Sequence, residues 1–95
     1  MSKITKSAKG ESCTIRLPGI CRHDNETVVA CHLNGGGMGA KVSDIHIAYA
    51  DYYCHSAVDG RIKTQYTKDE LQLAHLRGVI RTQDLLLKKG LLKII

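Results

Sequence analysis

Residues 27–33, Thr-Val-Val-Ala-Cys-His-Leu, and residues 45–55, Ile-His-Ile-Ala-Tyr-Ala-Asp-Tyr-Tyr-Cys-His, decide the fold. The first run is β-branched and apolar and reads as a strand, and Ile45 to Ala50 reads as a second, shorter one. Asp51 is a residue type that caps helices, so a helix carrying Cys54, His55 and Val58 is expected to start there and to end at Gly60. Between the strands, Asn34-Gly35-Gly36-Gly37-Met38-Gly39 offers almost no side-chain restraint and reads as a loop. The order is strand, loop, strand, helix.

Working outward, Thr67-Lys68-Asp69-Glu70 has the pattern of a capping box and opens a helix running to about Lys89, with Gly90 as its stop. At 100° per residue Leu73, Leu76, Val79, Ile80, Leu86 and Leu87 share one broad stripe, which is expected to face the core. Gly78 inside that helix costs roughly 1 kcal/mol relative to Ala and so points to close packing of another backbone or of a partner helix. Towards the N-terminus, Cys13 to Leu17 is β-permissive. Pro18-Gly19 then breaks the chain before Cys21, which makes a knuckle presenting two thiols.

Ninety-five residues without Phe or Trp, and with only Tyr49, Tyr52, Tyr53 and Tyr66 as aromatics, make one small domain short of core. Such chains often depend on a metal, disulfides or a partner. No apolar run approaches the roughly 18 residues that span a bilayer, and the lysine-bearing start lacks an apolar leader core, so the expected location is the cytoplasm, away from membranes. In that reducing setting four cysteines among five histidines point to metal binding or thiol chemistry before disulfides.

Cys13 and Cys21 are separated by seven residues, Asp51 and Cys54 by two. These four fit a tetrahedral structural zinc, with Cys31 or a nearby His as an alternative fourth ligand. His32 stands at the end of a strand beside the glycine loop, and His55 adjoins Cys54, so a metal at Cys54 would fix His55 as well. A Cys31–His32 nucleophilic dyad is disfavoured, because neighbours on a strand face opposite sides. The glycine loop is no nucleotide-phosphate loop either, since Val42 follows Ala40-Lys41 where Ser or Thr is required.

Lys and Arg outnumber Asp and Glu by 14 to 9. The basic residues gather in a residue 1–10 arm (Lys3, Lys6, Lys9), at Arg61 and Lys63, and at the C-terminus, a distribution suited to nucleic acid. Leu91, Leu92, Ile94 and Ile95 would either complete the core or pair two chains as a homodimer.

The two opening stretches resemble the HNH endonuclease pattern, the ββα-metal finger. More closely, Glu11-Ser12-Cys13, Leu17-Pro18-Gly19-Ile20-Cys21, Cys54 to Arg61 and Ala74 to Gln83 resemble the YbcO-type nucleases of phages and prophages, over nearly the whole chain. The resemblance implies an α+β fold: a zinc-stapled ββα-metal, treble-clef-type finger over residues 11–61, with an added C-terminal amphipathic helix at 67–89. It also implies metal-dependent phosphodiester hydrolysis, most naturally of DNA, with His32 as general base and His55 as ligand of a catalytic divalent ion such as Mg²⁺.

The middle motif position falls on His46, with Asp44 equally in reach. Lys41, Arg61 and Lys63 are the candidate phosphate contacts. Two positions depart from the pattern: Asp51 replaces a cysteine of the structural site, and Cys31 stands where an Asp or His often helps hold the catalytic ion. These departures motivate an alternative, a zinc-stabilised DNA-binding or protein-interaction module that no longer cuts.

Overall fold

The computed structural model describes residues 3–33 and 45–93. Among them are a short helix α1 (Lys3–Lys6), a single 3₁₀ turn (Asn25–Thr27), strands β1 (Val29–His32) and β2 (Ile47–Ala50), and helices α2 (Tyr52–Val58) and α3 (Lys68–Lys88). The glycine-rich run, together with Lys41 and Asp44, lies outside the described residues, as do Ile94 and Ile95.

β1 and β2 pair antiparallel in the register Val29–Ala50, Ala30–Tyr49, Cys31–Ala48 and His32–Ile47. All four β2 residues are buried. Such a strand cannot leave its outer edge unpaired, because buried backbone polar groups need partners. Thr14 supplies them on one side: its N–H donates to the Tyr49 carbonyl at 2.7 Å, and its hydroxyl accepts from the Tyr49 N–H at 3.0 Å. That N–H is shared with the Thr82 hydroxyl of α3 at 3.1 Å, and the two threonine hydroxyls meet at 2.9 Å. The stretch Cys13 to Leu17 therefore forms no strand, and only Thr14 imitates one.

Thr82 is fully buried, and replacing it with valine keeps the volume while deleting this link. Thr82→Val should cost about 1–2 kcal/mol, the range for a buried hydrogen bond whose partner retains another, and lower the melting temperature by roughly 4–15 °C. Calorimetry on the two proteins measures it.

The sequence-predicted stripe of α3 is the main correction. The helix turns His75, Gly78, Val79, Thr82 and Leu86 inward, while Leu73, Leu76, Ile80 and Leu87 stay 48, 43, 55 and 36% exposed. Only Val79 and Leu86, at one edge of the stripe, reach the core. Gly78 is the reason, because it lets α3 lie against the sheet by its smallest face. A Cβ built there would stand 2.9 Å from Ile15 Cγ1, 3.0 Å from Ala48 Cβ and 3.2 Å from Ile15 Cα. Gly78→Ala should thus destabilise the protein by about 1–2 kcal/mol, the overpacking cost exceeding the roughly 1 kcal/mol gain in helix propensity. Urea denaturation checks the sign.

The N-terminal segment keeps Lys3, Lys6 and Lys9 exposed and is anchored by its other residues. Ala8 is buried and Ile4 packs on the core. The Ser7 hydroxyl donates to the Ile4 carbonyl at 2.6 Å, which leaves the hydroxyl of buried Tyr49 to donate to Ser7 at 2.6 Å. At the other end the chain turns at Gly90, with φ +74°. The Leu91 N–H then returns to the Leu86 carbonyl at 2.9 Å, and Leu91 and Leu92 are half-buried.

Candidate metal centres

Cys13, Cys21, Asp51 and Cys54 come together, each offering one donor atom within 4.8 Å of the others. Local chemistry explains the meeting. Gly19 adopts φ +77°, and the chain tightens so that the Cys21 N–H reaches the Leu17 carbonyl at 2.9 Å, turning Cys21 back towards Cys13. Asp51 is the N-cap of α2, and its Oδ1 accepts from the Cys54 N–H at 2.9 Å, so residues 51 and 54 share one side of the helix start. Asp51 Oδ2 accepts from the Arg22 N–H at 3.0 Å and lies 3.5 Å from Cys21 Sγ.

Cys13, Asp51 and Cys54 are fully buried and Cys21 half-buried, which is a closed site. Burial pushes the Asp51 carboxyl up, but the N–H donors of Cys54, Arg22 and Asp24 outweigh it and hold the group below its usual range. The Cys13 thiol is lowered to about 5, chiefly by a hydrogen bond from Cys54 and against its own burial. Cys21 is raised to about 11 by burial, and Cys54 is raised by its bond to Cys13 and by burial. Three cysteine sulfurs, which bind metal as thiolates and release their protons on binding, and a carboxylate at this spacing could hold a metal ion. Tetrahedral zinc with ligands near 2.3 Å has edges of about 3.8 Å, which this group meets with little movement.

A second group joins Cys31 of β1 to His55 and Asp59 of α2, again with donor atoms within 4.8 Å. His55 Nε2 stands 3.1 Å from Asp59 Oδ2, one helical turn on. Asp59 is the C-cap residue, and Gly60, at φ +78°, lets the Arg61 N–H reach the Ser56 carbonyl at 2.9 Å. That turn brings the Arg61 guanidinium to 3.3 Å from the same carboxylate oxygen. The Cys31 thiol is pushed up to about 12 by burial and then by the Asp59 charge.

Behind this group sits His75, buried on α3, whose Nε2 donates to the Cys31 carbonyl at 3.0 Å. Its pKa is lowered by burial, against the Cys31 hydrogen bond and Asp59, while His55 and His32 lower it further. A cavity of about 270 Å³ opens alongside, walled by Leu33, Val58, Asp59, Lys68, Gln72 and His75.

Cys31 therefore belongs with His55 rather than with the four-residue group. His32 ends β1 opposite Ile47 and is half-buried, on the strand face opposite Cys31. His46 is exposed just before β2, its carbonyl accepting from the Leu33 N–H at 2.9 Å, and it joins neither group. Lys63 is exposed beyond Arg61. Sequence reasoning missed Asp59 and His75. The spacing of four between His55 and Asp59 on a helix was the available signal for the first. Nothing local marked the second.

The chain is similar to known proteins over nearly its full length. The family model described as "Putative nuclease YbcO" matches residues 2–91. Among curated proteins, "Putative nuclease YbcO" of Escherichia coli strain K12 is 33% identical, the match covering 98% of this chain and 99% of that one. A protein of the same description from Enterobacteria phage 82 matches with the same identity and coverage. A solved structure described as that of a putative bacteriophage protein from Escherichia coli K-12 superposes with a TM-score of 0.79 at 31% identity, over 92% of this chain and 99% of that one.

Proposed function

Because the chain belongs to the YbcO nuclease family, we propose that it is a metal-dependent endonuclease of the ββα-metal type that hydrolyses phosphodiester bonds in nucleic acid, DNA first among them. The observation that carries this reading is the convergence of Cys31, His55 and Asp59 at the junction of the hairpin and α2, with Arg61 on its rim. A strand pair followed by a helix that delivers such a group is the arrangement the resemblance implies. In this reading the Cys13, Cys21, Asp51 and Cys54 group holds a structural zinc and fastens the N-terminal knuckle to the start of α2.

Asp59 Oδ2 is a donor suited to Mg²⁺ or Mn²⁺, His55 Nε2 to Zn²⁺ and similar ions, and Cys31 only to a softer ion. A divalent ion held by His55 and Asp59 would supply positive charge against the charge that develops on the phosphoryl oxygens. His32 takes the proton from the attacking water, which requires its ring to be neutral. His46, or Asp44, orients that imidazole. Arg61 and Lys63, with Lys41, contact flanking phosphates and set the register of the strand without reading its sequence. Arg61 can turn from Asp59 to phosphate because it is an exposed side chain on a surface ion pair.

Cys31 also favours a second reading, a zinc-stapled module that binds nucleic acid without cutting it, since its sulfur is a soft donor poorly matched to a hard ion. The purified protein, incubated with supercoiled plasmid and with branched duplexes in Mg²⁺, Mn²⁺ or Zn²⁺, separates the two. Nicking with at least one ion is the expected result. Retarded DNA with no nicking under any ion replaces the first reading with the second.

A further inference from the structure

The four large apolar side chains that α3 leaves outside are not scattered. Leu73, Leu76, Ile80 and Leu87, 36–55% exposed, stand at spacings of three, four and seven, the a and d positions of two heptads, with Gln83 at the remaining d position. At 100° per residue they span an arc of about 60°, facing away from the helix side that holds His75, Gly78 and Thr82. A stripe this continuous on a small protein marks an interaction surface.

Its charges indicate the occupant. Arg77 and Asp84, both exposed, flank the same side of the stripe seven residues apart, and neither is ion-paired with another described residue. In an antiparallel pair related by a two-fold axis near Ile80 and Arg81, Arg77 of each helix meets Asp84 of the other. Leu87 of each then falls against Leu73 and Leu76 of the other, and Ile80 packs beside its own mate. The same surface is self-complementary in both shape and charge, as an isologous interface requires. A polyanion has no use for four leucine-type side chains beside a balanced pair of charges.

We propose that α3 is a homodimer interface, occupied by α3 of a second copy of this chain in antiparallel orientation. This places the contact on the helix face and not on the hydrophobic C-terminal end. The inference does not depend on the nuclease reading, because the seam lies on a different face of α3 from the His75 side that backs Cys31. From Leu73 to Leu87 the seam runs about 21 Å at 1.5 Å per residue, about four turns of a single helix, so a weak and reversible dimer is expected.

Sedimentation of the full chain from about 1 to 200 µM should show reversible monomer–dimer exchange, and Ile80→Asp should leave only monomer over that range. Arg77→Asp and Asp84→Arg should each weaken association about tenfold by placing like charges opposite each other, and the two together should restore it to within about threefold. Restoration by the double exchange is specific to the antiparallel pairing, since a folding defect would not be repaired by a second surface change. A native chain that stays monomeric at the highest concentration, or a double exchange as weak as either single one, overturns the proposal.

Discussion

Cys54→Ser is expected to abolish cooperative folding at physiological temperature, and chelation of the native protein is expected to do the same. Two magnitudes separate the alternatives. If Cys54 were only a buried thiol hydrogen-bonded to Cys13, a serine of similar size would cost about 1–3 kcal/mol, a loss a domain of this size survives with a lowered melting temperature. If it is a zinc ligand, the site contributes on the order of 10–16 kcal/mol of coupled binding and folding energy. A domain stable by about 5–15 kcal/mol cannot spare the larger part of that.

Position adds to the argument. The group ties the Leu17–Cys21 turn to the first turn of α2, adding to the burial of Leu17 in the core and to the Tyr66 hydroxyl donated to the Pro18 carbonyl at 2.5 Å. Cys31→Ser is the matched control, a buried cysteine outside the group. It should cost only the smaller amount. Elemental analysis of the native protein should give about one zinc per chain, and circular dichroism with added chelator should show the helical signal collapse. A Cys54→Ser protein that melts within about 10 °C of native and of Cys31→Ser would remove the structural zinc from this account.

What the sequence disclosed, and what it hid, divides along the same physical line. Both ends of α2 and α3 were legible because capping is local: Asp51 and Thr67 at the starts and Gly60 and Gly90 at the stops act on residues within one turn. The meeting of Cys13, Cys21, Asp51 and Cys54 was legible only in part: the gap of two residues brings Asp51 and Cys54 to one helix start, while Cys13 and Cys21, seven residues apart, are brought together by the turn at Pro18-Gly19.

The face of α3 was not legible. Hydrophobicity alone assigns Leu73, Leu76 and Ile80 to the core. The structure instead buries Gly78 and Thr82, because Gly78 permits close approach to Ile15 and Ala48, and Thr82 closes the edge of β2. Neither residue advertises this in its own neighbourhood. His75 was hidden in the same way, as its partner is a carbonyl 44 residues distant. Asp59 could have been found from its spacing to His55, and was eclipsed by the more familiar histidines.

His55→Ala and His32→Ala should both remove nicking activity, and for different reasons that the same assay distinguishes. His55 faces Asp59 Oδ2 at 3.1 Å and shares its group with Cys31, so its proposed task is to hold an ion. Its loss should raise the metal concentration needed for cleavage at least tenfold, and part of the activity should return at high Mn²⁺. Asp59→Asn should behave alike, with an added effect of freeing Arg61, and so should bind DNA no worse than native.

His32 lies outside that group and is proposed to act on water. Its replacement should lower the cleavage rate by about 10²- to 10⁴-fold with no change in the metal concentration at half-maximal rate, the range that a general base contributes. His46→Ala should have a smaller effect than either, because His46 is exposed and can only orient a neighbour. The order His32, then His46, on the rate, with His55 and Asp59 acting on metal affinity, is the signature of the arrangement proposed here. Variants of His32 and His55 that cut as fast as native, at unchanged metal dependence, would show that the chemistry sits elsewhere and that the group at the hairpin–helix junction is structural.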